Sequence, residues 1–118
     1  MDYFAKWLNS IPMPTHVTAN VRERAVVFKA LGHQDRLRIV DELAGGERCV
    51  CDLVKTVGSS WPTVSRHLSV LKVAGVVSDE KRGVQVFYRL ALPCVRSFSD
   101  CLAAAQKGEV VEVRRCCG

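Results

Sequence analysis

A chain of 118 residues, 48% hydrophobic and 25% charged, suits one globular domain with a modest core and excludes a disordered or collagen-like polymer. No apolar run approaches the ~18 residues of a membrane-spanning helix, and no basic stretch followed by an apolar run opens the chain, so the expectation is a cytoplasmic protein with no membrane partner. Lys and Arg total 17 against 12 acids, a net charge of +5 that favours an anionic partner, and the 6 cysteines point in a reducing compartment to metal binding or reactivity rather than staples.

Along the chain, residues 3–11 place Phe4, Leu8 and Ile11 at helical spacing beside Tyr3 and Trp7, and Pro12 and Pro14 end that helix. With Lys6 as its one cation, this helix fits a partner subunit better than a membrane surface. A second helix is predicted over 19–31 with Val21, Ala25 and Phe28 on one face. A third covers 35–44 with a stripe of Leu37, Val40, Leu43 and Ala44, ended by Gly45-Gly46. His33, between them, reads as a cap or turn residue.

Cys49-Val50-Cys51-Asp52 then leads into a short helix ending at Gly58. Ser59-Ser60-Trp61-Pro62 is a start signal, a serine cap with proline in the first turn, for a helix that buries Val64, Leu68 and Leu71 and stops near Gly75. From Val77 the period changes to two. The charged stretch 78–82, Gly83, and then Val84, Val86, Tyr88 and Leu90 predict a β-hairpin turning at Arg82-Gly83. A final helix runs from Pro93 to about residue 107, with Cys94, Phe98, Cys101, Leu102 and Ala105 on its apolar side.

Two short helices joined by a tight Gly-Ser turn and followed by a ribbon make a winged helix-turn-helix, a mostly α fold with a β-hairpin wing (α+β). Residues 1–107 form the DNA-binding and dimerisation domain and 108–118 a cysteine-containing tail. Ser60, Trp61, Thr63, Ser65, Arg66 and His67 lie at or near the start of the second helix of that unit, where hydroxyls and guanidinium groups reach base edges or phosphates. Lys81 and Arg82 at the wing tip, and Arg89 on the returning strand, suit the DNA backbone. Apolar first and last helices on a chain with little core predict a homodimer.

Cys49 and Cys51 are the main chemical signal. In a regular helix residues i and i+2 point about 200° apart, so both sulfurs reach one ion only where the backbone departs from helix or is forced out of it. A helix N-terminus favours the thiolate that binds soft ions. Two small buried cysteines without a ligand are the alternative. Cys94 and Cys101 stand about 10 Å apart along their helix, which suits packing, or contact across a two-fold axis. Cys116 and Cys117 follow Arg114 and Arg115, cations that favour thiolate. His16, His33 and His67 lack the spacing of a histidine metal site. No Ser/His/Asp set, phosphate loop or dinucleotide fingerprint is present, and a thiol oxidoreductase would need a βαβ context, so no enzyme is expected.

Phe28-Lys29-Ala30-Leu31-Gly32-His33 with Arg36-Leu37-Arg38-Ile39 resembles the opening of the ArsR/SmtB family of metal-responsive repressors. Cys49-Val50-Cys51-Asp52-Leu53 resembles that family's arsenite-sensing motif. Pro62-Thr63-Val64-Ser65-Arg66-His67-Leu68, with Leu71, Ala74 and Gly75, resembles its recognition helix, and Phe87-Tyr88-Arg89-Leu90 the end of its wing. The resemblance covers residues 19–106. It implies a dimeric repressor on double-stranded operator DNA, needing no cofactor to fold and released when As(III) or Sb(III) binds cysteine thiolates.

Departures from the family pattern matter. Trp61 stands where the family often has Gln, and an indole cannot copy a Gln contact with adenine. Val54 stands at the third cysteine of the arsenite motif. The third sulfur would come from elsewhere, with Cys116 and Cys117 as candidates, or two would suffice. Leu92, Cys94 and Ala105 occupy positions of the family's zinc-sensing pattern, which speaks against zinc sensing there. The same scaffold could sense Cd(II) or Pb(II) through four thiolates, or act as a redox or persulfide sensor closing Cys51 onto a distant cysteine. The expected switch is an ion that distorts the start of the short helix and so displaces the recognition helix.

Overall fold

The computed structural model describes residues 17–109, with side chains from Val21 onward. The helix expected over 3–11 and Cys116 and Cys117 of the tail lie outside the described residues. In chain order the elements are α1 (Val17–Leu31), α2 (Gln34–Ala44), β1 (Arg48–Cys49), α3 (Val50–Val57), α4 (Trp61–Val73), β2 (Val77–Arg82), β3 (Gln85–Leu90) and α5 (Pro93–Gln106).

Local chemistry sets the helix ends. His33 caps α2, its Nδ1 accepting the Asp35 N–H at 3.1 Å. Gly58 ends α3 in the left-handed region at φ 73, a conformation that glycine takes without a Cβ clash. Ser60 caps α4, its Oγ accepting the Thr63 N–H at 3.4 Å, and Pro62 sits in the first turn, where no backbone donor is lost.

The core lies where α2, α3 and α4 meet the sheet. Ile39 and Val40, Leu53, Val64, Leu68, Leu71 and Val76 are fully buried, and each such side chain contributes roughly 1.5–3 kcal/mol through removal from water. This cluster seats α4 against α2 and α3. Among the described residues no helix is long and apolar enough to cross a membrane.

Three features differ from the sequence expectations. The hairpin turns at Gly83-Val84 rather than Arg82-Gly83, because Arg82 pairs with Gln85. Gly83, at φ 63, supplies the positive φ required at the first position of a two-residue loop. Val84 therefore leaves the strand alternation and stands 99% exposed at the wing tip. A third strand joins the sheet in the order β1-β3-β2, with Arg48 opposite Tyr88 and Cys49 opposite Phe87. Two residues are too few to show a period in sequence.

The third difference is which helix faces are covered. On α1 the buried residues are Val26, Ala30 and Leu31, whereas Val21, Ala25 and Phe28 are exposed. On α2 Ile39 joins Val40 and Leu43 in the core, and Leu37 is exposed. On α5 the core takes Val95, leaving Phe98 and Leu102 outside. Each of these helices carries apolar residues on more than one face, and periodicity alone does not choose between them.

Candidate nucleic-acid interface and thiol site

Helix α4 buries Val64, Leu68 and Leu71 and turns Ser65 and Arg66 outward. Ser60 and Trp61 are exposed at its start, and Thr63 is half-buried with its Oγ1 2.9 Å from Ser60 Oγ. These five residues gather on one end and outer face of the helix, an arrangement suited to a DNA groove.

His67 does not join them. It is buried at 9% exposure. Its Nδ1 accepts from Arg36 Nε at 3.3 Å, its ring centre lies 4.5 Å from that of His33, and its Nε2 is 3.9 Å from Asp35 Oδ2. Three residues after Val64 and four before Leu71, position 67 lies on the inner side of the helix. The sequence assignment of His67 to the DNA face is corrected accordingly. Burial, and after it the electrostatic influence of the neighbouring His33 and of the Arg36 guanidinium, hold the His67 imidazole below its ordinary pKa, with Asp35 acting in the opposite sense.

The fold thus assembles His33, Asp35 and His67 with ligand atoms within 4.8 Å of one another, a cluster that sequence spacing did not reveal. The hydrogen bonds decide its chemistry. Both rings accept at Nδ1, so a neutral ring keeps its proton on Nε2. A metal at Nε2 would have to displace that proton and leave an imidazolate, or break the Nδ1 bond. The cluster serves as a clasp between α2 and α4.

On the wing, Arg82 is ion-paired to both Glu47 and Glu80, each with a contact at 3.0 Å, and its guanidinium lies 4.8 Å from the Phe87 ring centre. Those two carboxylates raise its pKa further, so it stays charged. Lys81 is exposed beside it. Arg89 is also exposed and donates from Nε to Ser78 Oγ at 3.1 Å.

Cys49 ends β1 and caps α3 with an extended backbone (φ −79, ψ 162), while Cys51 stands in the first helical turn. The chain changes from strand to helix between them, which brings the two sulfurs together. They are joined as a disulfide, with Cα atoms 5.4 Å apart. The irregular backbone that two thiols at i and i+2 require is therefore already built. Of the two conditions for shared ligation, a backbone that departs from helix or one forced out of it, the first is met here, and among the described residues Cys51 is joined to Cys49.

Among the described residues the ligand atoms grouped there belong to Cys49, Cys51 and Asp52. Val54, at the motif's third position, packs against the core. Cys94 and Cys101 are free and half-buried on α5. Beside the thiol pair opens a cavity of about 160 Å³, bounded by Trp61 at the start of α4 and by Val84, Gln85 and Val86 of the wing. This shared wall was invisible in sequence, because Trp61 and Val84 are 23 positions apart and meet only through the fold.

A capped helix of this kind, held on a two-helix unit and flanked by a β wing, defines a winged helix-turn-helix protein. Residues 33–79 match the family described as bacterial regulatory protein, arsR family. The biofilm growth-associated repressor of Agrobacterium fabrum is 37% identical over 84 residues, 71% of each chain. The chain belongs to the ArsR family of regulatory proteins, not to a family of enzymes.

The arsenical resistance operon repressor of Escherichia coli K12 is 46% identical over 66 residues, 55% of this chain and 56% of that protein. The chain spans about half the length of the first curated relatives it matches. A solved structure, the homodimeric winged helix-turn-helix DNA-binding domain of a possible ArsR-family regulator from Mycobacterium bovis, superimposes with a TM-score of 0.72. It has 33% identity and covers 81% of this chain and 90% of that one.

Proposed function

We propose that this chain is a cytoplasmic repressor that binds double-stranded operator DNA as a homodimer and is released when As(III) or Sb(III) is bound by Cys49 and Cys51. The observation that carries the reading is the meeting of two sulfurs at the β1–α3 junction, in a cavity whose walls include the first residue of α4 and the wing. Occupancy there touches both elements that face DNA. A ligand shifts the DNA-bound population only by its preference for one conformation, and a site wedged between helix and wing has that preference built in. For inorganic As(III), which suits three thiolates, Cys116 or Cys117 of the tail supplies the third.

The homodimer rests on the exposed apolar faces of α1 and α5. Phe28 (58% exposed) and Phe98 (43% exposed) meet edge to face with ring centres 5.6 Å apart, so the two helices present one continuous apolar surface.

The test is an operator gel shift. Once a phosphine has reduced the joined sulfurs to the dithiol, arsenite should release the wild-type protein, whereas Cys49→Ser and Cys51→Ser should each bind DNA normally and ignore arsenite. Release of those variants at wild-type arsenite concentrations overturns the reading. The joined sulfurs also favour a second reading, release on thiol oxidation, which hydrogen peroxide in a parallel lane would reveal.

A further inference from the structure

We propose that Trp61 is a specificity-determining residue that selects a thymine in the operator, its indole covering the C5-methyl group while its ring N–H donates to O4. This rests on the reading that α4 faces operator DNA, and it names the base that the first residue of that helix takes.

Placement is the first argument. Trp61 is the first residue of α4, directly after the Ser60 cap. With Ser65 and Arg66 it forms the outward face of the helix, opposite the buried Val64, Leu68 and Leu71. The large apolar residues that α4 leaves exposed are Trp61 at its first position and Val73 at its last. Arg66 is exposed on the same face, and Lys81 and Arg82 are exposed on the wing. Cations of this kind hold a helix in a groove through phosphates and carry no base preference of their own.

The cap itself limits what its hydroxyls can read. Ser60 Oγ accepts the Thr63 N–H at 3.4 Å and lies 2.9 Å from Thr63 Oγ1, so one of the two hydroxyl protons is used within the cap. The indole at the same end of α4 has no such commitment: among the described residues none accepts from its ring N–H.

The chemistry of the ring decides the base. An indole offers apolar faces and one N–H donor, with no acceptor. In the major groove thymine presents its C5-methyl beside the O4 acceptor, so a single base supplies both partners. Adenine and cytosine each present an amino donor that an indole cannot accept, and guanine presents two acceptors without an apolar group. At 55% exposure the free protein leaves indole surface in water, and contact with the methyl removes apolar area from both molecules.

The experiment uses the full chain, reduced with a phosphine, to enrich binding duplexes from a randomised pool. In the strongest binder each thymine is replaced in turn by deoxyuracil, which removes the methyl group alone, and fluorescence anisotropy reads the affinity. At one thymine per half-site the replacement should weaken the wild-type chain about fourfold. A C·G pair in place of that T·A pair should weaken it about tenfold. Trp61→Ala and Trp61→Gln, at an exposed position, should each bind the thymine and deoxyuracil duplexes alike. If no thymine is sensitive to loss of its methyl, or the sensitive one stays so in both variants, the inference is overturned while operator binding stands. If no duplex is enriched by the wild-type chain, the inference falls together with the reading beneath it.

Discussion

Arg36 links three helices through one guanidinium: its Nε donates to His67 Nδ1 at 3.3 Å and its Nη1 to the Ala30 carbonyl at 3.1 Å. Residue 36 lies on α2, 67 on α4 and 30 on α1, so the end of α1 and helix α4 are held by the same group. The arrangement requires His67 Nδ1 to be unprotonated. It also makes the packing of α4 sensitive to acid.

Burial lowers the His67 pKa below its ordinary 6.5, so the unfolded chain takes up the proton first as pH falls. This contribution to stability is complete above the unfolded value. It is lost progressively as pH drops from about 6.5 toward the lower folded pKa. Urea midpoints should therefore fall between pH 7.5 and 5.5, and His67→Gln, which keeps an acceptor but cannot titrate, should flatten that dependence. Equal slopes in the two proteins would show that His67 is not the group responsible.

Arg82 faces Glu47 and Glu80 before any phosphate arrives, so part of its charge is offset. Arg82→Ala should weaken binding to specific and random duplexes alike and reduce the slope of log affinity against log salt by about one. Glu47→Gln should do the reverse, tightening non-specific binding by freeing the guanidinium. Fluorescence anisotropy across a salt series checks both. No effect of Glu47→Gln at low salt would mean that the carboxylate does not compete with DNA.

Two substitutions separate the cap of α4 from its packing. Ser60→Ala removes the acceptor of the Thr63 N–H and should cost about 1 kcal/mol. Leu68→Ala empties a fully buried position and should cost about 2–5 kcal/mol. Denaturant midpoints at constant m-value measure both. A Leu68→Ala loss no larger than that of Ser60→Ala would contradict the placement of Leu68 at the centre of the core.

The apolar surface of Phe28 and Phe98 makes the oligomeric state testable by one charge. The wild-type chain should sediment as a dimer at micromolar concentration, and its footprint should show two half-sites related by two-fold symmetry. Phe98→Glu places a carboxylate on that surface and should yield a monomer with unchanged far-ultraviolet circular dichroism and weakened DNA binding. A variant that remains dimeric would locate the interface elsewhere.

Local information was legible in the sequence wherever short-range chemistry decides structure. The caps at His33, Gly58 and Ser60, the alternation of β3 and the buried triplet Val64, Leu68 and Leu71 each depend on residues within a turn or two. The motifs that resemble the ArsR/SmtB family also read directly, because they combine such local signals in a fixed order. What only the tertiary structure decided involves partners distant along the chain. These are the inward turn of His67 onto Arg36, the choice of Val26 and Ala30 over Val21 and Phe28 as the buried face of α1, and the pairing of Cys49 opposite Phe87 in a strand too short to announce itself. The thiol site shows both levels. Its two cysteines are plain in the sequence, but periodicity describes one element at a time, whereas Cys49 closes a strand, Cys51 opens a helix, and the wall beside them comes from Trp61 and the wing.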